Sequence, residues 1–158
     1  MDGITLKITG TLLGPLEKMK EELPQVEKRA LVHAAYYLRD KIRQSLVEAI
    51  PKATMHNPKY SDTLVDAVHF TKVDGASVNV NAMGNRKPKS GTFRTRFFER
   101  DTKDRYQKTF NGIKRKKKKF IGHITGTSFF SNAVNANQNA TIQMMRDVIS
   151  EYIQEWNK

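Results

Sequence analysis

Apolar residues at Leu16, Met19, Leu23, Val26, Ala30, Ala34, Leu38, Ile42, Leu46 and Ile50 recur at steps of three or four. That spacing holds them on one face of a 3.6-residue helix and predicts a long amphipathic stripe. Pro24 falls inside the stripe, where it removes a backbone donor and clashes with the preceding turn. The sequence therefore predicts a short helix before Pro24 and a long one over about 24–50, with Pro24 in its first turn and Pro51 as its stop. Ahead of these helices, Ile4, Leu6 and Ile8 alternate with Thr5, Lys7 and Thr9, the period of a half-buried strand. Residues 51–62 are a loop by composition. Runs over about 65–72 and 76–82 read as two strands joined at Asp74-Gly75, a hairpin turn pair, with Val78, Val80 and Ala82 on one face.

Residues 93–100 read as a further strand, with Phe93, Thr95 and Phe97 on one side and Arg94, Arg96, Phe98 and Arg100 on the other. Asn111-Gly112, set between Phe110 and Ile113, marks a second two-residue hairpin turn. Its arms span about 103–110 and 113–124. The final pattern is helical, from Phe129 and Phe130 through Ile142, Met145, Val148, Ile149, Tyr152 and Ile153 to Trp156. Four asparagines between Asn132 and Asn139 weaken helix propensity, so the strong helix is expected over about 139–156, with an earlier start left open. The order is that of a single α+β domain over residues 1–158. A mainly antiparallel sheet is packed by a long helix in the N-terminal half and a C-terminal helix, and a basic hairpin or loop is inserted at about 84–120.

Charge changes this picture most. The chain carries 28 Lys and Arg against 16 Asp and Glu, a net of +12. Residues 86–119 alone hold 15 of those cations and three acids (Glu99, Asp101, Asp104), which is also +12; the remaining 13 cations and 13 acids cancel. A neutral body with one cationic segment is a scaffold for a polyanion-directed element. The candidate contacts are Arg86, Lys87, Lys89, Arg94, Arg96, Arg105, Lys108, Lys114, Arg115, Lys116, Lys117, Lys118 and Lys119. Each cation that neutralises a phosphate releases counterions. Lysine acts as a hydrated point charge and not as a bidentate base reader, which favours contact without sequence preference. The bland reading is a solvated charge run, and Lys114 to Lys119 also match a nuclear-localisation pattern. Among the interleaved aromatics, Tyr106 and Phe110 lie in the most polar surroundings and are the candidates for an interface, with bases or with another subunit.

Other chemistry is thinly represented. The chain has no cysteine, hence no disulfide framework and no thiolate site. His33, His56, His69 and His123 lack paired ligand spacing. Glu99, Asp101 and Asp104 could be assembled into a nuclease site, but three acids among fifteen bases read more simply as local charge partners. No phosphate-binding loop, dinucleotide fingerprint or nucleophile elbow is present, no cofactor is called for, and the expectation is a non-enzymatic protein. No apolar run reaches the length of a membrane span, and the first residues lack the pattern of a signal peptide.

Three segments in order carry a resemblance. Tyr60-Ser61-Asp62-Thr63-Leu64-Val65-Asp66-Ala67-Val68 follows the long helix and its Pro-containing loop. Arg96-Phe97-Phe98-Glu99-Arg100 forms an aromatic-acid core, and Gly126-Thr127-Ser128-Phe129-Phe130-Ser131-Asn132-Ala133-Val134 leads into the last helix. Over about residues 25–156 the chain resembles the head–tail joining and tail-completion (neck) proteins of long-tailed phages and prophages. There the middle motif typically continues as Glu-x-Gly-Thr, whereas Asp101-Thr102 and the basic insertion stand here, and the prolines that flank the aromatic pair in the family are missing. The resemblance implies a structural subunit of the virion neck, assembled in the host cytoplasm. It would oligomerise into a ring such as a hexamer between portal or adaptor and tail proteins, with double-stranded DNA passing through and no membrane involved. The basic segment would then face the DNA channel or an acidic neighbouring ring. The alternative is a sequence-independent nucleic-acid-binding protein outside any virion.

Overall fold

The computed structural model describes residues 13–56, 62–82, 92–110 and 112–156. The expected strand over residues 4–9 and the basic loop containing Arg86, Lys87 and Lys89 lie outside them. The chain is α+β: two long helices, α1 (Leu13–Ala49) and α3 (Phe129–Trp156), carry two small antiparallel ribbons and a short helix.

The apolar stripe forms α1 as one uninterrupted helix, with Pro24 inside it. Proline in a helix interior costs about 3 kcal/mol, which made a break there the local expectation. Tertiary packing on both sides of Pro24 offsets this. Before it, Glu22 accepts a hydrogen bond from the Tyr152 hydroxyl of α3 at 2.8 Å. After it, Val26, Ala30 and Ala34 are buried. The helices run antiparallel: Ser45 donates to the Phe129 carbonyl at one end, Tyr37 to Asn137 in the middle, and Lys18 lies over Trp156 at the other end.

α3 begins ten residues before the expected position and takes in the asparagine-rich tract. Weak propensity yields here to specific contacts. Ala133 is buried, and Asn137 bonds both the Ala133 carbonyl and the Tyr37 hydroxyl.

The core sits where α1 ends and α3 begins: Ile42, Leu46, Ala53, Leu64, Val68, Phe129 and Ala133. Pro51–Thr54 forms a 3-10 turn that drives Ala53 into this cluster. The expected strand over 65–72 is realised only at β1 (His69–Phe70), because Val65–Ala67 forms a 3-10 turn whose start is fixed by Asp66, which accepts from the N–H and hydroxyl of Thr63. β1 pairs antiparallel with β2 (Val80–Asn81), and the Asp74–Ser77 bridge closes the turn one residue later than expected, at Gly75-Ala76, with Gly75 at φ +54°. Arg43 of α1 donates twice to the Val68 carbonyl, which ties this ribbon to the helix.

The expected strand over 93–100 is instead helical, a 3-10 turn (Thr92–Thr95) running into α2 (Arg96–Glu99). Thr95 is fully buried and its hydroxyl donates to the Leu64 carbonyl at 3.1 Å. Three residues on, Phe98 packs against the core. A helical turn puts Thr95 and Phe98 on one side, whereas a strand would send them to opposite faces. The antiparallel sheet is therefore two separate ribbons: β1–β2 on the body, and β3 (Tyr106–Phe110) with β4 (Ile113–Phe120).

Candidate nucleic-acid interface

The predicted basic hairpin exists, and it leaves the body at a rigid junction. Thr127 donates both its backbone N–H (2.7 Å) and its hydroxyl (2.9 Å) to the Phe98 carbonyl, and Ser128 N–H reaches the Glu99 carbonyl. The Glu99 carboxylate turns the other way, to the start of α3, where it accepts the N–H groups of Phe130 and Ser131 and the Ser131 hydroxyl. Those N–H groups have no partner within the helix, so an anion placed there both satisfies them and meets the positive end of the helix dipole. Gly126 lies against the backbone of Arg100 and Asp101: a Cβ at Gly126 would stand 2.6 Å from the Arg100 carbonyl carbon. Asp101 accepts the Gly126 N–H at 2.7 Å. The segments Arg96–Glu99 and Gly126–Phe130, twenty-five and more residues apart, are thus clamped together.

Above this clamp the hairpin stem is held by backbone hydrogen bonds. Thr102 N–H donates to Ile124 O, Arg105 N–H to Gly122 O, and Ile121 N–H to Arg105 O. Tyr106 stands opposite Phe120 and Gln107 opposite Lys119. The tip has another register, with Thr109 opposite Lys114 and Phe110 opposite Ile113. Gly112, at φ +80°, supplies the left-handed conformation that a two-residue turn requires. Between the two registers a single residue of β3, Lys108, faces four of β4: Arg115, Lys116, Lys117 and Lys118. The lysine run is therefore a wide bulge and not a flat strand.

The hairpin packs chiefly on itself. Its two faces differ. Side chains alternate along a strand and paired residues share a face, so Arg105, Lys114 and Lys119 lie with Gln107 and Thr109 on one side. Arg115 joins them by donating to Gln107 Oε1 at 3.3 Å. The opposite face carries Tyr106 and Phe120, with ring centroids 5.5 Å apart, together with Lys108 and Ile113. Tyr106, Phe120 and Ile113 remain 48%, 53% and 74% exposed. Lys108, Lys114 and Lys116 to Lys119 are exposed, and among the described residues none forms an ion pair or side-chain hydrogen bond.

The thirteen candidate contacts accordingly divide. Arg105, Lys108, Lys114, Arg115, Lys116, Lys117, Lys118 and Lys119 share the hairpin. Arg94 is half-buried and lines a cleft of the body with Ile50, His56, Leu64 and Phe98. Arg96 opens α2, also on the body. Arg86, Lys87 and Lys89 fall outside the described residues. Of the aromatics, Tyr106 is exposed on the hairpin as an interface candidate, and its ring partner is Phe120.

The three acids of the segment do not converge. Glu99 caps α3, Asp101 holds Gly126, and Asp104 faces His123 at 3.9 Å. Among the described residues no group of His, Cys, Asp and Glu is placed to hold a metal ion, and no helix is long and apolar enough to cross a membrane. Sequence reasoning missed the capping role of Glu99, which no local spacing signals. Comparison of the chain with protein-family models, curated proteins and solved structures gives no match.

Proposed function

We propose that this chain is a structural subunit of a phage head–tail connector, a ring joining the portal side to the tail, in which the basic hairpin faces the DNA channel or an acidic neighbouring ring. The observation that carries this reading is the clamp between Arg96–Glu99 and Gly126–Phe130. These are two of the three segments that carry the resemblance to neck proteins, and the hairpin rises from the point where they meet. A non-catalytic role accords with the dispersal of Glu99, Asp101 and Asp104 into structural contacts. Outside the hairpin the chain carries only +4 of its +12, a charge that subunit contacts can tolerate, while the hairpins, at +8 each, need an anionic partner once repeated around a ring.

Negative-stain microscopy and native mass spectrometry test the reading, on the purified chain and on the chain mixed with portal-side and tail proteins of the same particle. Closed rings in either preparation are expected, with the chain located at the neck of intact particles. A monomer under all these conditions, together with absence from the particle, would leave the chain as a free-standing polyanion-binding protein.

A further inference from the structure

We infer that the partner of the hairpin is the phosphate backbone of duplex DNA, contacted without sequence preference by the face bearing Arg105, Lys114 and Lys119 and by the Arg115–Lys118 bulge, with the Tyr106/Phe120 face turned away. This rests on the proposed role of the hairpin as the polyanion-contacting element and chooses between the two partners left open above.

Three observations favour DNA over an acidic protein. The first is composition. Residues 102–124 hold seven lysines (Lys103, Lys108, Lys114, Lys116, Lys117, Lys118, Lys119) and two arginines (Arg105, Arg115) against Asp104 alone, a net of +8. Interfaces between proteins are depleted in lysine and enriched in arginine, whereas diffuse phosphate contact needs only positive charge. Arg115 is moreover already engaged by Gln107.

The second is the bulge. The register jump leaves Arg115, Lys116, Lys117 and Lys118 together opposite Lys108, so four successive cations share one bulged stretch of the ribbon. The lysines at its centre have no partner among the described residues. An array of long, unpaired, hydrated charges follows a moving row of phosphates and holds no fixed geometry.

The third is the segregation of the faces. Stacking on unpaired bases uses aromatic rings that stand among the phosphate-binding cations. Here Tyr106 and Phe120 occupy the face opposite Lys114 and Lys119, with Lys108 beside them, so among the described residues the face of Lys114 and Lys119 presents no ring to a base. Duplex DNA, with its bases already stacked, is the ligand that such a face fits.

Fluorescence anisotropy with two unrelated 30-base-pair duplexes, titrated over a range of salt, tests this. Log K is expected to fall linearly with log salt, by about 0.9 per phosphate engaged, with equal slopes for both sequences. Replacing Lys116, Lys117 and Lys118 together by Ser should shallow the slope by about 0.9 for each lysine engaged. Tyr106→Thr and Phe120→Thr should leave it unchanged. The altered lysines are exposed, and circular dichroism of each variant checks that folding is retained. A slope near zero in the wild-type chain, tighter binding to single-stranded than to duplex DNA, or loss of binding in the aromatic variants but not in the lysine variant would each overturn the inference. If rings form but DNA is not held, an acidic protein partner remains and the connector reading stands. If DNA is held as inferred and no ring ever forms, the connector reading fails and this inference survives.

Discussion

Glu99 and Ser131, thirty-two residues apart, meet at the amino end of α3, where the carboxylate accepts the Ser131 backbone N–H at 3.1 Å and the Ser131 hydroxyl as well. The same carboxylate takes the Phe130 N–H at 2.8 Å. One side chain thus closes the helix that carries Phe129 and Ala133 into the core and fixes the point from which the hairpin departs.

Removing that carboxylate should cost more than an ordinary helix cap, because it satisfies three donors, one of them (Phe130 N–H) part-buried, and the helix dipole favours its charge. Loss of a cap costs about 0.5–2 kcal/mol, and a charge at a helix end contributes a further 0.3–1 kcal/mol or so. Glu99→Ala is expected to lower stability by roughly 2 kcal/mol on these grounds. Glu99→Gln, which keeps an acceptor but not the charge, should lie between Ala and the wild type. Equilibrium urea unfolding checks both; a Glu99→Ala variant as stable as the wild type would show that the cap carries no energy.

Two glycines near the clamp should respond oppositely to their surroundings. At Gly126 an added methyl meets the Arg100 and Asp101 backbone at 2.6–2.8 Å, and backbone cannot swing aside. At Gly122 nothing lies within 4 Å, but φ is +87°. Gly126→Ala should therefore force the clamp apart, at the 1–3 kcal/mol or so typical of overpacking. Gly122→Ala should cost only the left-handed strain of about 1–2 kcal/mol, and that within the hairpin stem. Hydrogen exchange separates them: Gly126→Ala is expected to speed exchange at Thr127 and Ser128, and Gly122→Ala at Ile121 and Arg105 alone.

How far the sequence disclosed this structure depended on whether its local pattern had a competitor. The stripe from Leu16 to Ile50 has one period and no rival, so α1 was legible except at Pro24, where the contacts of Glu22 and Val26 with the rest of the fold outweigh a local penalty. The turns at Gly75 and Gly112 were legible because a left-handed turn conformation selects glycine. Residues 93–100 alternate like a strand, yet the burial of Thr95 and Phe98 at a spacing of three depends on Leu64 and the core, which no local period encodes. The bulge was illegible for a different reason. Register is set by a contrast between faces, and Lys116 to Lys119 offer none. The ladder is pinned at its ends by Tyr106 with Phe120 and by Phe110 with Ile113, and the surplus residues are left between. At the candidate site the charge itself was fully legible. That Arg94 and Arg96 belong to the body was not, because it follows from the helical turn at 92–99.

The far end of the helix pair carries a pH response. Desolvation of Tyr152 and the hydrogen bond it donates to Glu22 raise its phenol above the ordinary 10.0. A raised pKa means that the folded state holds the proton more tightly than the unfolded chain. The contribution is fully present below pH 10 and is lost as pH rises through the higher folded value. Tyr152→Phe should be less stable than the wild type near neutrality, because the hydrogen bond to Glu22 is lost. The gap between wild type and Tyr152→Phe should close as pH climbs past 10. Urea unfolding of both at pH 7, 9, 10 and 11 reads this directly, and a gap that stays constant to pH 11 would assign the cost of the variant to packing and not to the proton.

The hairpin should be separable from the body. The ladder at its base ends in paired bonds between Thr102 and Ile124, and its ribbon packs chiefly on itself. The core cluster from Ile42 to Ala133 contains none of its residues. Replacing residues 103–123 by a short Gly-Ser turn removes like charges that repel one another in the folded chain, while Thr102 and Ile124 are left close enough to stay paired. The shortened protein is therefore expected to unfold within about 1 kcal/mol of the full chain at physiological salt, the scale of surface electrostatics. At low salt it should be relatively more stable, because screening no longer masks the repulsion in the full chain. Thermal unfolding at low and at physiological ionic strength measures both. A shortened chain that fails to fold would place structural weight on the hairpin, and its charges would then need a partner within the body.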